Sequence, residues 1–194
     1  MSESAKDILV RYLQTVREAV LWKLEGVSEY DARRPLTPTG TNLLGLVKHL
    51  ASVELGYFVS SFGREPPVPL PWHEDHADHN DDLWVTPDET REQIISLYRL
   101  AWKESARTIE ELDLDGEGTV PWWPAERNPV TLHTLLVHMI AETNRHVGQM
   151  DILREELDGA VGLRDGVSNL PDDDYDWAAY VAKVQAAADV RREG

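Results

Sequence analysis

The sequence predicts a single all-α domain built as a four-helix bundle, and three observations carry that prediction. Four long stretches repeat their apolar residues at helical spacing. No stretch of strict polar and apolar alternation, no internal repeat and no glycine-rich phosphate loop competes with them. Between the second and third stretches lies a long segment, residues 63–86, too rich in proline and acid for either regular state. Such a length allows an overhand crossover, so that the second and third helices can run the same way.

The first helix is expected over about Ser4 to Glu25, where Ile8, Leu9, Tyr12, Leu13, Val16, Ala19, Val20 and Leu24 recur on one face. DARRPLTPTG, from Asp31 to Gly40, reads as a loop. Thr41 is the expected cap of a second helix over Asn42 to Phe62, which places Leu43, Leu46, Val47, Leu50, Tyr57 and Phe58 together and ends at Gly63. After the crossover, Thr86 and Pro87 with the acidic Asp88 and Glu89 predict the start of a third helix that runs to about Leu114. A second loop holds the adjacent Trp122 and Trp123, and Pro129 is expected to open the fourth and longest helix, which ends at Gly159. These elements define a bundle over residues 1–160. Residues 161–194 form a C-terminal extension whose helix, about Asp174 to Arg191, is expected to pack on the bundle through Trp177, Tyr180, Val181 and Val184.

Composition narrows the function. A length of 194 residues suits one domain, and 42% hydrophobic content suffices for a core. Nineteen basic against 35 acidic residues give a net charge of −16, which argues against phosphate backbones and anionic lipid surfaces as partners. The sequence has no run of 18 apolar residues and a charged N-terminal stretch, so a cytoplasmic location is expected. With zero cysteines, disulfides, thiolate ligands and cysteine nucleophiles are excluded, and any metal must be held by His, Asp or Glu.

The fourth helix concentrates the chemistry. On a wheel advancing about 100° per residue, Leu132, Leu135, Leu136, Met139, Ile140, Thr143, Val147, Met150, Leu153 and Leu157 share one arc. His146 lies inside that arc and Glu142 at its edge, so an imidazole and a carboxylate face the interior together and need a partner. His138 sits outside the arc, as a neighbour more than a ligand. His133 reads as a surface histidine, and Arg145 as surface charge. His73, His76 and His79 recur in the acidic crossover, where a solvated segment is the better reading than a metal tract. His49, beside the apolar face of the second helix, is the histidine placed to meet the fourth. Glu54 falls near the centre of that second apolar face and is expected to be buried and paired, with Arg154 as the expected partner. Trp122 and Trp123 are expected to wall the mouth of a pocket and touch a cofactor, with ordinary loop packing as the alternative.

The blocks TNLLGLVKHLASVELGYF, PWWP and TLHTLLVHMIAETNRHVGQMDILREELDG, in that order, resemble the DinB/YfiT-like superfamily of metal-binding four-helix bundles. The resemblance spans roughly residues 5 to 160 and is strongest to the branch related to mycothiol-dependent maleylpyruvate isomerase. It implies a divalent metal held by His49, Glu142 and His146, with zinc the first choice and nickel or iron the alternatives. Three protein ligands leave a position open, as in catalytic zinc sites. The resemblance further implies a thiol-dependent S-transferase or isomerase whose sulfur arrives with a cofactor, mycothiol first, and which acts on an electrophilic substrate. Val147, Gly148 and Gln149 depart from relatives that carry arginine or a second histidine there, and the isomerase's extra C-terminal domain has no room here. Maleylpyruvate is therefore not the expected substrate. A non-catalytic metal or small-molecule binding bundle of a stress response and a metal-dependent hydrolase stand as alternatives, and a homodimer is carried as a candidate assembly.

Overall fold

The computed structural model describes residues 3–70, 78, 80–171 and 174–192. His73, His76 and His79 lie outside them. Six helices carry the described chain: α1 (Ala5–Trp22), α2 (Glu29–Arg33), α3 (Leu43–Phe58), α4 (Arg91–Glu111), α5 (Leu132–Asp158) and α6 (Trp177–Asp189). The four long ones expected from periodicity, α1, α3, α4 and α5, build the bundle.

Their starts follow local capping chemistry. Ser4 and Asp7 form a capping box at α1, and Thr131 caps α5 through the Thr134 N–H. Asn42, not Thr41, caps α3 by accepting from the Gly45 N–H. The start of α4 differs from the expected Thr86. Buried Lys48 and the Thr86 N–H both bind the Glu89 carboxylate, which closes a turn, and the helix begins only after Thr90 forms its own capping box with Gln93. The fourth bundle helix opens at Leu132 rather than at Pro129, because Val130–Thr131 (β2) first pairs antiparallel with Glu117–Gly118 (β1). This two-residue ladder and the five-residue α2 were both invisible to periodicity, being too short for a pattern to repeat.

Polar contacts fix the helix directions. Lys48 Nζ reaches Glu89 near the start of α4, while Arg64, just beyond α3, donates to Thr108 Oγ1 near its end. Helices α3 and α4 therefore run parallel, as the long crossover allows. Lys6 Nζ bonds the Leu112 carbonyl and Arg91 bonds the Val27 carbonyl, so α1 runs against α4. The segment Leu43–Phe62 has the length and hydropathy of a membrane span, yet 83% of it is buried in the bundle, as befits a core helix.

The core has two halves, one around Val20, Leu44, Leu50, Tyr98 and Met150, the other around Leu13, Phe58, Leu132, Leu136 and Met139. Where they meet, Arg17 and Glu54 form a buried bidentate ion pair, with Arg17 Nε 3.2 Å from Glu54 Oε2 and the second contact from Nη2 to Oε1. The expected pairing of Glu54 with Arg154 does not form. Arg154 instead binds Asp158 and the Lys23 carbonyl, because the C-terminal turn of α5 lies against the end of α1 and α3 is elsewhere. Helix α6 buries no residue, and Trp177, Tyr180, Val181 and Val184 are all exposed. Only Trp177 of these reaches toward the bundle, lining a cavity with Asp151 and Glu155.

Candidate metal centre

Every residue of α3 is buried except His49 and Val53, so His49 occupies the seam where this core helix comes nearest the surface. On α5 the apolar stripe is interrupted by buried Thr143 and His146, with Glu142 half-buried at its rim. The antiparallel seam of α3 and α5 brings the three groups together. Nε2 of His146 lies 3.1 Å and Nε2 of His49 3.7 Å from the same Glu142 oxygen, Oε1, and the two imidazoles meet edge to face at 4.9 Å.

One donor atom from each residue lies within 4.8 Å of the other two. Zinc bonds of about 2.0–2.1 Å at tetrahedral angles place ligand atoms about 3.3 Å apart. The two nitrogen-to-carboxylate separations, 3.1 and 3.7 Å, bracket that length, so the nitrogen and oxygen donors fit a divalent ion. Imidazole with carboxylate suits zinc, nickel and iron alike.

Both histidines are held from behind. His49 Nδ1–H donates to Asp82 Oδ2 at 2.6 Å, and His146 Nδ1–H donates to Gln149 Oε1 at 2.8 Å. Each bond turns Nε2 toward Glu142, where it donates to the carboxylate when it carries a proton and would offer its lone pair to a bound ion. The charges are strongly coupled. Burial works against a charged His49, but the Asp82 and Glu142 carboxylates outweigh it and raise its pKa to about 9. The His49 hydrogen bond, aided by His146, holds the Glu142 carboxyl down at about 2 against partial burial. His138, one turn before Glu142, is pushed below the ordinary value by burial despite that carboxylate.

The segment carrying Asp82 is seated on the first turns of α3. Asn42 Nδ2 bonds the Leu83 carbonyl at 3.1 Å and Lys48 Nζ bonds the Trp84 carbonyl at 3.1 Å. The contact is so close that a Cβ on Gly45 would lie 2.0 Å from the Leu83 oxygen, so only glycine fits there.

The sequence model of the mycothiol-S-transferase family matches residues 8–159. The chain belongs to that family. It is a DinB/YfiT-like protein, as the sequence blocks implied, and no curated protein matches it. The mycothiol S-transferase match takes in α1 through α5, and with them His49, Glu142, His146, Asp82 and Gln149. It stops at Gly159, the left-handed C-cap of α5, and leaves α6 outside.

Two flanks border the three donors. On one, Trp122 and Trp123 pack edge-on against Tyr57 at 5.2 and 5.8 Å, and His138 meets Tyr57 at 4.7 Å and Trp123 at 5.2 Å, also edge to face. Trp122 lies flat enough on α3 that a Cβ at Gly56 would touch its ring at 2.8 Å. On the other flank a cavity of about 340 Å³ is bordered by His146, Gln149 and Trp84. That cavity does not include Trp122 or Trp123. His133 and Arg145 are exposed, as their wheel positions required. Asp151 binds Lys23 at 2.5 Å, far along α5 from the donors.

Reading the sequence missed Asp82, Trp84 and Gln149. Gln149 was findable, three residues beyond His146 on the same helical face. Asp82 was not, since it is one acid among many in the crossover and acts from 33 residues away.

Proposed function

We propose that the protein is a cytoplasmic, divalent-metal-dependent S-transferase that joins a small thiol of the mycothiol type to an electrophile, with zinc as the resident ion. The convergence of His49 Nε2, His146 Nε2 and Glu142 Oε1 in a chain without cysteine supports this reading best. A divalent ion held by these three residues would supply a Lewis acid that lowers the pKa of a sulfur ligand below neutral pH.

The protein's own groups do the rest. Glu142, anionic at any physiological pH, contributes one negative charge to the ligand set. One dication and one carboxylate leave a single positive charge, which a thiolate neutralises; two carboxylates would have removed that attraction. Asp82 and Gln149 hold the imidazoles so that both present Nε2, and neither histidine needs to reorient when a ligand arrives. Three protein donors leave room for sulfur. The thiolate is the nucleophilic form, and the chain has no competing thiol of its own. Trp122 and Trp123 offer the apolar flank along which a cofactor or electrophile approaches.

The test is to load the protein with cobalt and titrate it with mycothiol or a simple thiol. A sulfur-to-metal charge-transfer band that saturates with thiol is expected. Bound cobalt with no such band at saturating thiol overturns the transferase reading in favour of a binding bundle or a hydrolase.

A further inference from the structure

We propose that α6 is the surface through which two copies of this chain associate, the two helices lying antiparallel about a twofold axis near their midpoints. The helix lies beyond the family match, and none of its residues serves the thiol chemistry above.

Helix α6 buries nothing, yet its sequence is not that of a solvated helix. Advancing about 100° per residue, Trp177, Tyr180, Val181, Val184, Ala187 and Ala188 fall within an arc roughly 120° wide. The four large members are between 43 and 61% exposed. Single apolar side chains on a surface need no explanation, but a continuous stripe marks a contact. A helix of 13 residues is also marginal in water on its own, and packing of such a stripe is what ordinarily holds one. Tyr175 and Tyr180 pack against Trp177 at 4.8 and 5.9 Å, which gathers the aromatic surface into one patch at the start of the helix.

The charges at the two ends of the stripe select what covers it. The sequence PDDDYD, residues 171–176, leads into α6 with four aspartates, whereas Arg191 and Arg192 follow the helix with one Glu193 after them. Two parallel copies would set acid on acid. Two antiparallel copies set each acidic entry beside the arginines of the other. Arg192 does approach Asp189 at 3.8 Å, but an exposed pair of that length is weak enough to exchange for an intermolecular one. Side-chain sizes agree with the charges. An axis between Ala182 and Lys183 sets Val181 against Val184, Trp177 against the small Ala188, and Asp174 against Arg191, each contact occurring twice, as a twofold interface requires. Lys183 points about 100° away from the centre of the stripe, toward solvent.

Other covers fit less well. The bundle wall next to α6 offers the carboxylates of Asp151 and Glu155 in the cavity that Trp177 lines. Anionic membranes and nucleic acid are repelled by the net charge of −16. Two helices about 20 Å long bury less than a standard interface, so the association is reversible, with a dissociation constant on the order of 10 µM.

Sedimentation-velocity ultracentrifugation of the full chain between about 1 and 300 µM reads the mass across that range. A concentration-dependent rise from 22.0 kDa toward twice that value is expected. Val184→Glu, at an exposed position that the bundle does not use, should hold the chain at the monomer mass. Arg191→Asp combined with Arg192→Asp should weaken association at least about tenfold. Orientation is read by disulfides, since the chain has no cysteine of its own. Val184→Cys, near the axis, should cross-link to its own copy under oxidation. Ala188→Cys should not, because antiparallel pairing separates the two copies of that residue by about 16 Å. A monomer at every concentration, whether α6 then lies on its own bundle or serves another protein, would overturn the inference. So would a dimer that survives Val184→Glu, or an Ala188→Cys cross-link as efficient as that of Val184→Cys.

Discussion

Replacing Arg17 with methionine probes the physics of the scaffold that holds α3 in place. The guanidinium is 4% exposed and Glu54 0%, and the two share a bidentate contact between α1 and α3. Methionine keeps the length and apolar volume of the side chain but leaves the carboxylate without its cation, with Ser105 and Tyr98 as polar neighbours. Stranding one member of a buried pair costs about 3–5 kcal/mol. For a chain of this size each kcal/mol moves the midpoint by roughly 2–4 °C, so Tm should fall by about 6–20 °C. Burial already pushes the Glu54 carboxyl above the ordinary 4.5, with Arg17 pulling the other way. Without Arg17 the rise is larger. A folded-state carboxyl pKa above the unfolded value penalises the native state at pH above it, and the penalty fades as the group protonates. The gap between wild type and Arg17→Met should accordingly be wider near about pH 8 than near about pH 5. Adding Glu54→Leu removes the stranded charge and should return stability to within about 1 kcal/mol of wild type. Urea unfolding followed by far-UV circular dichroism at both pH values reads Arg17→Met, Glu54→Leu alone and the double variant. Additive losses in the double variant, or an Arg17→Met cost that is small and independent of pH, would refute the reasoning.

Two further outcomes concern the metal. Alanine at His49, Glu142 or His146 should remove most bound divalent ion by elemental analysis, whereas His138→Ala should retain it, since its ring packs edge-on against Tyr57 and Trp123 and stands outside the donor set; wild-type metal content in His146→Ala would contradict the ligand assignment. Chelation should leave the helical dichroism intact, because both halves of the core close without any of the three donors; loss of helix on adding chelator would mean that the metal organises the fold.

The sequence by itself determined the four bundle helices and the pairing of Glu142 with His146, because each is written at helical period within a continuous stretch. Glu142 and His146 lie four residues apart, and one turn of helix guarantees that they meet. His49 was singled out by its place beside an apolar face, and the tertiary fold alone decided that its Nε2 meets the same carboxylate oxygen. The length of the crossover permitted a parallel course of α3 and α4, but the tertiary contacts decided that course and the seating of the crossover. That depends on a glycine at position 45 admitting the Leu83 carbonyl and on Lys48 gripping the Trp84 carbonyl and Glu89, contacts that no local pattern encodes. The same long-range closure moved the start of α4 to Arg91, delivered Asp82 to His49 and opened the cavity beside Trp84. Buried ion pairs behaved likewise. Periodicity required that Glu54 have a cation, but only the packing of α1 against α3 could choose Arg17 over Arg154, since burial demands a partner without naming the helix that supplies it.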